Sequence, residues 1–210
     1  MFNNILGNDN IKELLTNAVK NNKESHSYMF VGTEGIGKKL IAKEFAKMIL
    51  CTDENKYCGK CKSCIEFESS NNPDFKIIEP DGNSLKIEQI REFQNKVSEK
   101  PIISNRKVYI INDSDKMTTE AQNCLLKTLE EPPEFVTIIL IGSNESAFLD
   151  TIKSRCMILR FNKISDENIV KFLEENFQTK VNSQSMLEAF QGSIGKAIQL
   201  QDKQEEYEQI

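Results

Sequence analysis

The sequence predicts an α/β protein: a parallel sheet flanked by helices, followed by a small all-helical unit. Three observations carry this prediction. Short apolar runs alternate with amphipathic segments as far as Phe161, the pattern of strand–helix–strand crossovers. A glycine-rich turn ending in lysine, Gly32 to Lys38, sits between one such run and a helix-spaced segment. Beyond Phe161 the strand-type runs cease and only helix-period segments remain.

Taken in order, Ile11, Leu14, Leu15 and Val19 recur at helical spacing and predict a first amphipathic helix. Tyr28 to Val31 is a short apolar run ending at Gly32, which reads as a buried strand. Leu40, Ile41, Phe45, Ala46 and Ile49 mark a helix leaving the glycine turn, and Phe75 to Ile78 a second strand. Ile87, Ile90, Phe93 and Val97 predict a helix ended by Pro101, before the β-branched strand Val108 to Ile111. The helix through Ala121, Leu125, Leu126 and Leu129 must stop before Pro132-Pro133, because proline disfavours helix at the residue before it. Val136 to Ile141 and Met157 to Phe161 complete the strands. Helices are expected over Ile169 to Phe177, Met186 to Phe190 and Ile194 to about Tyr207. A boundary falls at Asn162 to Ser165, giving units 1–162 and 163–210.

The 210 residues carry 39 % hydrophobic content and a net charge of −5. That content suffices for one ordinary domain with a small second one. The acidic balance argues against coating nucleic acid unaided, which needs a concentrated Lys/Arg surface. No run approaches the length of a membrane span. Met1 to Asn10 lacks a basic stretch followed by an apolar core, so a secretory signal is not expected and a cytoplasmic location is.

Gly32-Thr33-Glu34-Gly35-Ile36-Gly37-Lys38 fits G-x-x-x-x-G-K between strand and helix. In that motif backbone N–H groups and the helix N-terminus hold phosphates, and the lysine reaches the terminal ones. A turn before a helix explains the glycines but not Lys38 at that spacing. The next position should be a hydroxyl that holds Mg²⁺, and here it is Lys39, whose ammonium cannot ligate a metal. The strand ending at Ile111 leads into Asn112-Asp113, where an active ATPase of this type has an Asp-Glu pair to hold Mg²⁺ and orient water. Asp113 and Asp115 are also explained as solvation of a strand end. Taken with Lys39, the pattern is a nucleotide site (ATP or ADP) with a degraded hydrolytic half.

Cys51, Cys58, Cys61 and Cys64 are four of six cysteines, spaced C-x6-C-x2-C-x2-C. Four thiolates so close predict a closed, structural Zn²⁺ site with no open catalytic position. Cys124 and Cys156 are expected as buried core thiols, and His26, the lone histidine, as packing near the first strand.

His26-Ser27-Tyr28-Met29-Phe30, the four-Cys module, Leu125-Leu126-Lys127-Thr128-Leu129-Glu130-Glu131-Pro132-Pro133 and Ser154-Arg155-Cys156 occur in that order. Over nearly its whole length the chain thus resembles the bacterial clamp-loader AAA+ subunits, the gamma/tau ATPase and the delta-prime subunit of DNA polymerase III. The resemblance implies an AAA+ P-loop domain with an inserted zinc module at 51–64 and a small helical lid domain. It also implies a third, collar domain; none is expected before Ile210, so the chain is expected to be a truncated piece or a short form. The gamma/tau ATPase carries the hydroxyl, the Asp-Glu pair and a sensor arginine where this chain has Lys39, Asn112-Asp113 and Gly195, with Lys196 one place late. Those three losses resemble delta-prime, the ring member that does not hydrolyse ATP.

The resemblance further implies that Arg155 is an arginine finger offered in trans to ATP on the adjacent subunit. The implied partners are the gamma/tau and delta subunits and, through the assembly, the sliding clamp and primer-template DNA. Glu130 and Glu131, acids in a last helical turn, oppose the helix dipole and point to an interface, with simple solvation as the alternative. Two competing functions stand beside this one: an active gamma/tau-like ATPase, and a zinc-dependent interaction module with a vestigial loop.

Overall fold

Five strands form one parallel sheet in the computed structural model, which describes residues 2, 5–177, 187 and 189–200. The strands are β1 (Ser27–Val31), β2 (Phe75–Ile78), β3 (Lys107–Ile111), β4 (Val136–Gly142) and β5 (Met157–Arg160), in spatial order β2-β3-β4-β1-β5. The three central strands are buried along their whole length, whereas the edge strands β2 and β5 are mostly not. Continuous apolar runs are what a sheet covered on both faces requires.

Alternation along each central strand divides the core. Tyr28, Phe30, Val108, Ile110, Ile139 and Ile141 face α1 (Asp9–Lys20) and α2 (Lys38–Leu50). Met29, Val31, Tyr109, Ile111, Ile138 and Leu140 face α4 (Ile87–Val97) and α5 (Thr119–Glu130). A seven-residue helix, α3 (Lys62–Glu68), lies between α2 and β2, and a single turn, α6 (Asp150–Lys153), precedes β5. Ile164, Ile169, Leu173, Phe190 and Ala197 form a third cluster, built on α7 (Asp166–Phe177) and the helical stretch 194–200.

Several expectations are corrected. Leu14 and Leu40 are 37 % and 57 % exposed, because the buried stripes of α1 and α2 run through their neighbours Ile11, Leu15, Ile41 and Phe45. Cys124 and Cys156 are half-buried at the rim of the core. The Cys124 thiol donates to Gln94 Oε1 (3.1 Å), while burial pushes the Cys156 thiol up to about 12. His26 is exposed, with only Nδ1 within 3.3 Å of Val136 O. The strand β5 ends at Arg160, although the Phe161 N–H still donates to Val31 O (2.8 Å). Glu130 closes α5, and Glu131 lies one residue beyond it. Met186 and Glu188 of the segment Met186 to Phe190, and residues beyond 200, lie outside the described residues. Among the described residues no helix is long and apolar enough to cross a membrane.

Candidate functional site

The phosphate loop leaves the carboxyl end of β1 and enters α2 at Lys38. Gly37, at φ +92°, is the residue before the helix, a backbone state that side chains rarely adopt. No side chain caps α2, so its first N–H groups and dipole face the loop. Lys38 is buried and donates to Gly32 O (2.6 Å) and Thr33 O (2.9 Å). Burial holds its pKa below the usual lysine value, against the opposing pull of Asp115, Glu34 and Asp113.

Beside the loop lies a cleft of about 430 Å³, a volume suited to a small ligand. One end is apolar, lined by Ile5, Leu6, Ile164, Phe172, Ile194 and Ile198. The other end carries the loop, Lys38, Lys39, Asn112 and Asp113.

The third cluster meets the loop closely at Gly35. Gly195 N–H donates to Gly35 O (3.0 Å), and a Cβ on Gly195 would lie 2.9 Å from Gly35 Cα. A Cβ on Gly35, at φ +75°, would lie 2.3 Å from Ser193 Oγ. The joint therefore needs glycine on both sides. The Lys196 ammonium lies 2.5 Å from Gln191 Oε1.

At the polar end Lys39 Nζ is 2.6 Å from Glu79 Oε1, and Asn112 Nδ2 donates to the same oxygen at 3.5 Å. Asp113, at φ +48°, pairs with Lys116 (3.0 Å). Asp115 accepts the Ser143 and Asn144 N–H groups (both 2.9 Å), joining the ends of β3 and β4. Sequence reading missed Glu79; no local motif signals an acid that meets Lys39 across 40 positions.

Arg155 lies in the turn that leads into the amino end of β5, the strand beside β1. Val31 pairs with Arg160 at the carboxyl end of β5, and the three strand steps back to Met157 span roughly 10 Å at about 3.3 Å per residue, with Arg155 in the turn before them. The guanidinium pairs with Glu130 (2.7 Å) and donates to Thr151 O (2.8 Å) and Ser154 Oγ (3.3 Å). Arg155 and the phosphate loop thus lie toward opposite ends of the neighbouring strands β5 and β1.

Cys51 ends α2, and Cys61 and Cys64 start α3. The four Sγ atoms lie within 4.8 Å of one another, with Cys51–Cys58 at 3.7 Å and Cys51–Cys61 at 4.0 Å. A tetrahedron with metal–sulfur bonds of about 2.3 Å needs sulfur–sulfur separations near 3.8 Å, so this cluster can hold a metal ion. Backbone N–H groups of Cys58 and Cys61 donate to Cys51 Sγ (3.5 Å) and Cys58 Sγ (3.3 Å). Burial opposes ionisation of Cys61, but hydrogen bonds from Thr52 and Cys64 outweigh it and bring the thiol to about 6. The module is braced to the sheet: Asn72 Nδ2 donates to Ser63 O (2.9 Å), and Ser63 Oγ lies 2.9 Å from Ser104 Oγ. Buried Asp74 fixes that second strand of loop by accepting the N–H groups of Ile102, Ile103 and Ser104 (2.7, 2.8 and 2.7 Å).

Residues 7–165 match the family described as DNA polymerase III, delta subunit. The DNA polymerase III subunit delta' of Bacillus subtilis is 35 % identical over 191 residues, covering 90 % of this chain and 58 % of that protein. The DNA polymerase III subunit tau/gamma of Haemophilus influenzae is 35 % identical over 211 residues, covering 96 % and 30 %. The chain thus spans between about a third and three-fifths of the length of these curated relatives. Among solved structures, the RuvB Holliday junction branch migration motor of Thermotoga maritima superposes with a TM-score of 0.58 at 15 % identity, covering 93 % of this chain and 60 % of that one. That likeness concerns the fold alone.

Proposed function

The chain belongs to the DNA polymerase III delta-subunit family, and from that premise we propose that it acts as the delta-prime member of a bacterial clamp loader. In this reading it is a ring subunit that does not hydrolyse ATP itself. It offers Arg155 in trans to ATP on a neighbouring gamma/tau subunit, also meets the delta subunit, and so helps load the sliding clamp on primed DNA. Residues 1–162 form the nucleotide-fold unit, 163–210 its lid, and Cys51, Cys58, Cys61 and Cys64 hold a structural Zn²⁺. Zinc bound there ties the end of α2 to α3, with no chemistry at the cleft.

One observation carries the reading: the residue after the loop lysine is an ammonium paired with Glu79, beside Asn112. The Mg²⁺-holding hydroxyl and acid of a hydrolytic site are thus both replaced. The placement of Arg155 toward the opposite strand end supports a role toward a neighbour. A guanidinium at a terminal phosphate stabilises the charge that develops on it, worth about 10³ to 10⁵ in rate in related systems. The test is steady-state turnover of ATP by the purified chain. No Mg²⁺-dependent hydrolysis above background is expected.

A second reading has its own support, the equal 35 % identity to a tau/gamma protein. Hydrolysis by the chain alone, abolished by Lys38→Ala, establishes that active-ATPase reading and overturns the first.

A further inference from the structure

The polar end of the cleft holds an ammonium where a hydrolytic loop presents a hydroxyl. Lys39 is the second residue of α2, and its Nζ is fixed 2.6 Å from Glu79 Oε1. Asn112 Nδ2 contacts the same carboxylate oxygen at 3.5 Å. The other acids after β3 are already engaged, Asp113 by Lys116 and Asp115 by the Ser143 and Asn144 N–H groups. Glu34, the remaining acid of the lining, sits exposed in the loop itself. Among the described residues, the group of three or more acids, cysteines or histidines with converging ligand atoms is the four-cysteine cluster, not these carboxylates.

We propose that the Lys39 ammonium, oriented by Glu79, replaces the divalent cation, so that the cleft binds nucleoside di- and triphosphates without Mg²⁺. The proposal rests on the reading of the cleft as a nucleotide site and goes beyond it by assigning the counter-charge. An ammonium has three donors. Glu79 takes one and leaves two for phosphate oxygens. Lys39 lies in the first turn of α2 and lines the same cleft as the loop and Lys38, so its charge lies near phosphates held there. Magnesium needs a near-octahedral set of oxygens, and a fixed ammonium repels it from the place where protein oxygens normally supply part of that set.

The experiment is calorimetric titration of the chain with ADP and ATP, once in excess Mg²⁺ and once in EDTA, for the native chain, Lys39→Thr and Lys39→Arg. Lys39 is partly exposed, and melting curves check that both variants fold. The expected result is dissociation constants for the native chain that agree within about twofold between the two conditions, and the same for Lys39→Arg. Lys39→Thr should bind about tenfold more tightly with Mg²⁺ than without, about 1.4 kcal/mol. Native binding that tightens about tenfold or more in Mg²⁺ overturns the proposal and leaves the nucleotide site standing. A Lys39→Thr chain that stays metal-independent overturns the assignment to Lys39. Absence of saturable binding in both conditions overturns the nucleotide site and this proposal together.

Discussion

The two ends of the parallel sheet carry positive charge in different ways. At the carboxyl ends of the strands, Lys38 and Lys39 belong to a glycine loop and a helix N-terminus, and both ammonium groups are held by oxygens of this chain. At the amino ends, Arg155 hangs on a single turn before β5 and is steadied by Glu130 and two nearby oxygens. The first is a partly open cleft; the second is a half-exposed side chain. Under the proposed function, the difference means that nucleotide retention and phosphate activation need not share a site. A chain that keeps one and offers the other outward suits a ring in which each site is completed by a neighbour.

The comparison is broken most directly at Arg155. In a mixture with a gamma/tau ATPase, Arg155→Ala should lower single-turnover hydrolysis at the facing site by about 10³-fold. Arg160→Ala is the internal control, since Arg160 sits at the cleft end of the same strand and forks onto Glu145 (2.8 and 2.6 Å). That variant should leave the stimulated rate unchanged. Equal losses in both variants would mean that β5 matters only as a strand.

The scaffold comes next in size. One zinc per chain is expected by elemental analysis. Cys64→Ala should cost at least about 3 kcal/mol, a fall in Tm of roughly 6–12 °C for a chain of this length. A stoichiometry of zero, or an unchanged Tm, removes the metal from the account. Asp74→Ala removes the acceptor of three backbone N–H groups and should cost about 2–3 kcal/mol, measured by urea denaturation. Unlike Cys64→Ala, it should leave zinc content intact.

A smaller effect sharpens the description of the cleft edge. Gly195→Ala places a methyl against Gly35 Cα, an overlap worth about 1–3 kcal/mol unless the helical stretch 194–200 moves off the loop. Faster amide exchange at residues 193–197, with the sheet unaffected, is the expected signature. The smallest effect belongs to pH. The Arg160 guanidinium holds the Glu145 carboxyl below its ordinary value. A carboxyl depressed on folding contributes stability that is present above its unfolded pKa and lost as pH falls through the folded one. Because the pair is exposed, Glu145→Gln should change the acid-unfolding profile only within the error of a melting measurement.

Much of this molecule is written locally. The five strands, α1, α2, α4, α5 and the phosphate loop each rest on a run or a period of side chains, and they appear where such signals lie. Helix α3 escaped because seven residues give barely two turns and the cysteine spacing masks them. The cleft residues were legible as types: Lys38, Lys39, Asn112 and Asp113 stand out in the sequence, and the structure brings all four to one cleft. Their partners were not. Glu79, Glu130 and Asp115 are ordinary acids in the chain, and only folding sets them against Lys39, Arg155 and the end of β4.

The sequence by itself therefore determined the element order, the cysteine cluster and the identity of the charged groups, because periodicity and short spacings act within one element. The tertiary structure alone decided which charges meet. It put Arg155 before the amino end of β5, opposite the loop at the carboxyl end of β1, pinned Lys39 to an acid 40 positions away, and set Gly35 against Gly195. Such pairings depend on strand order and on crossovers through helices, and no local property of the chain encodes them.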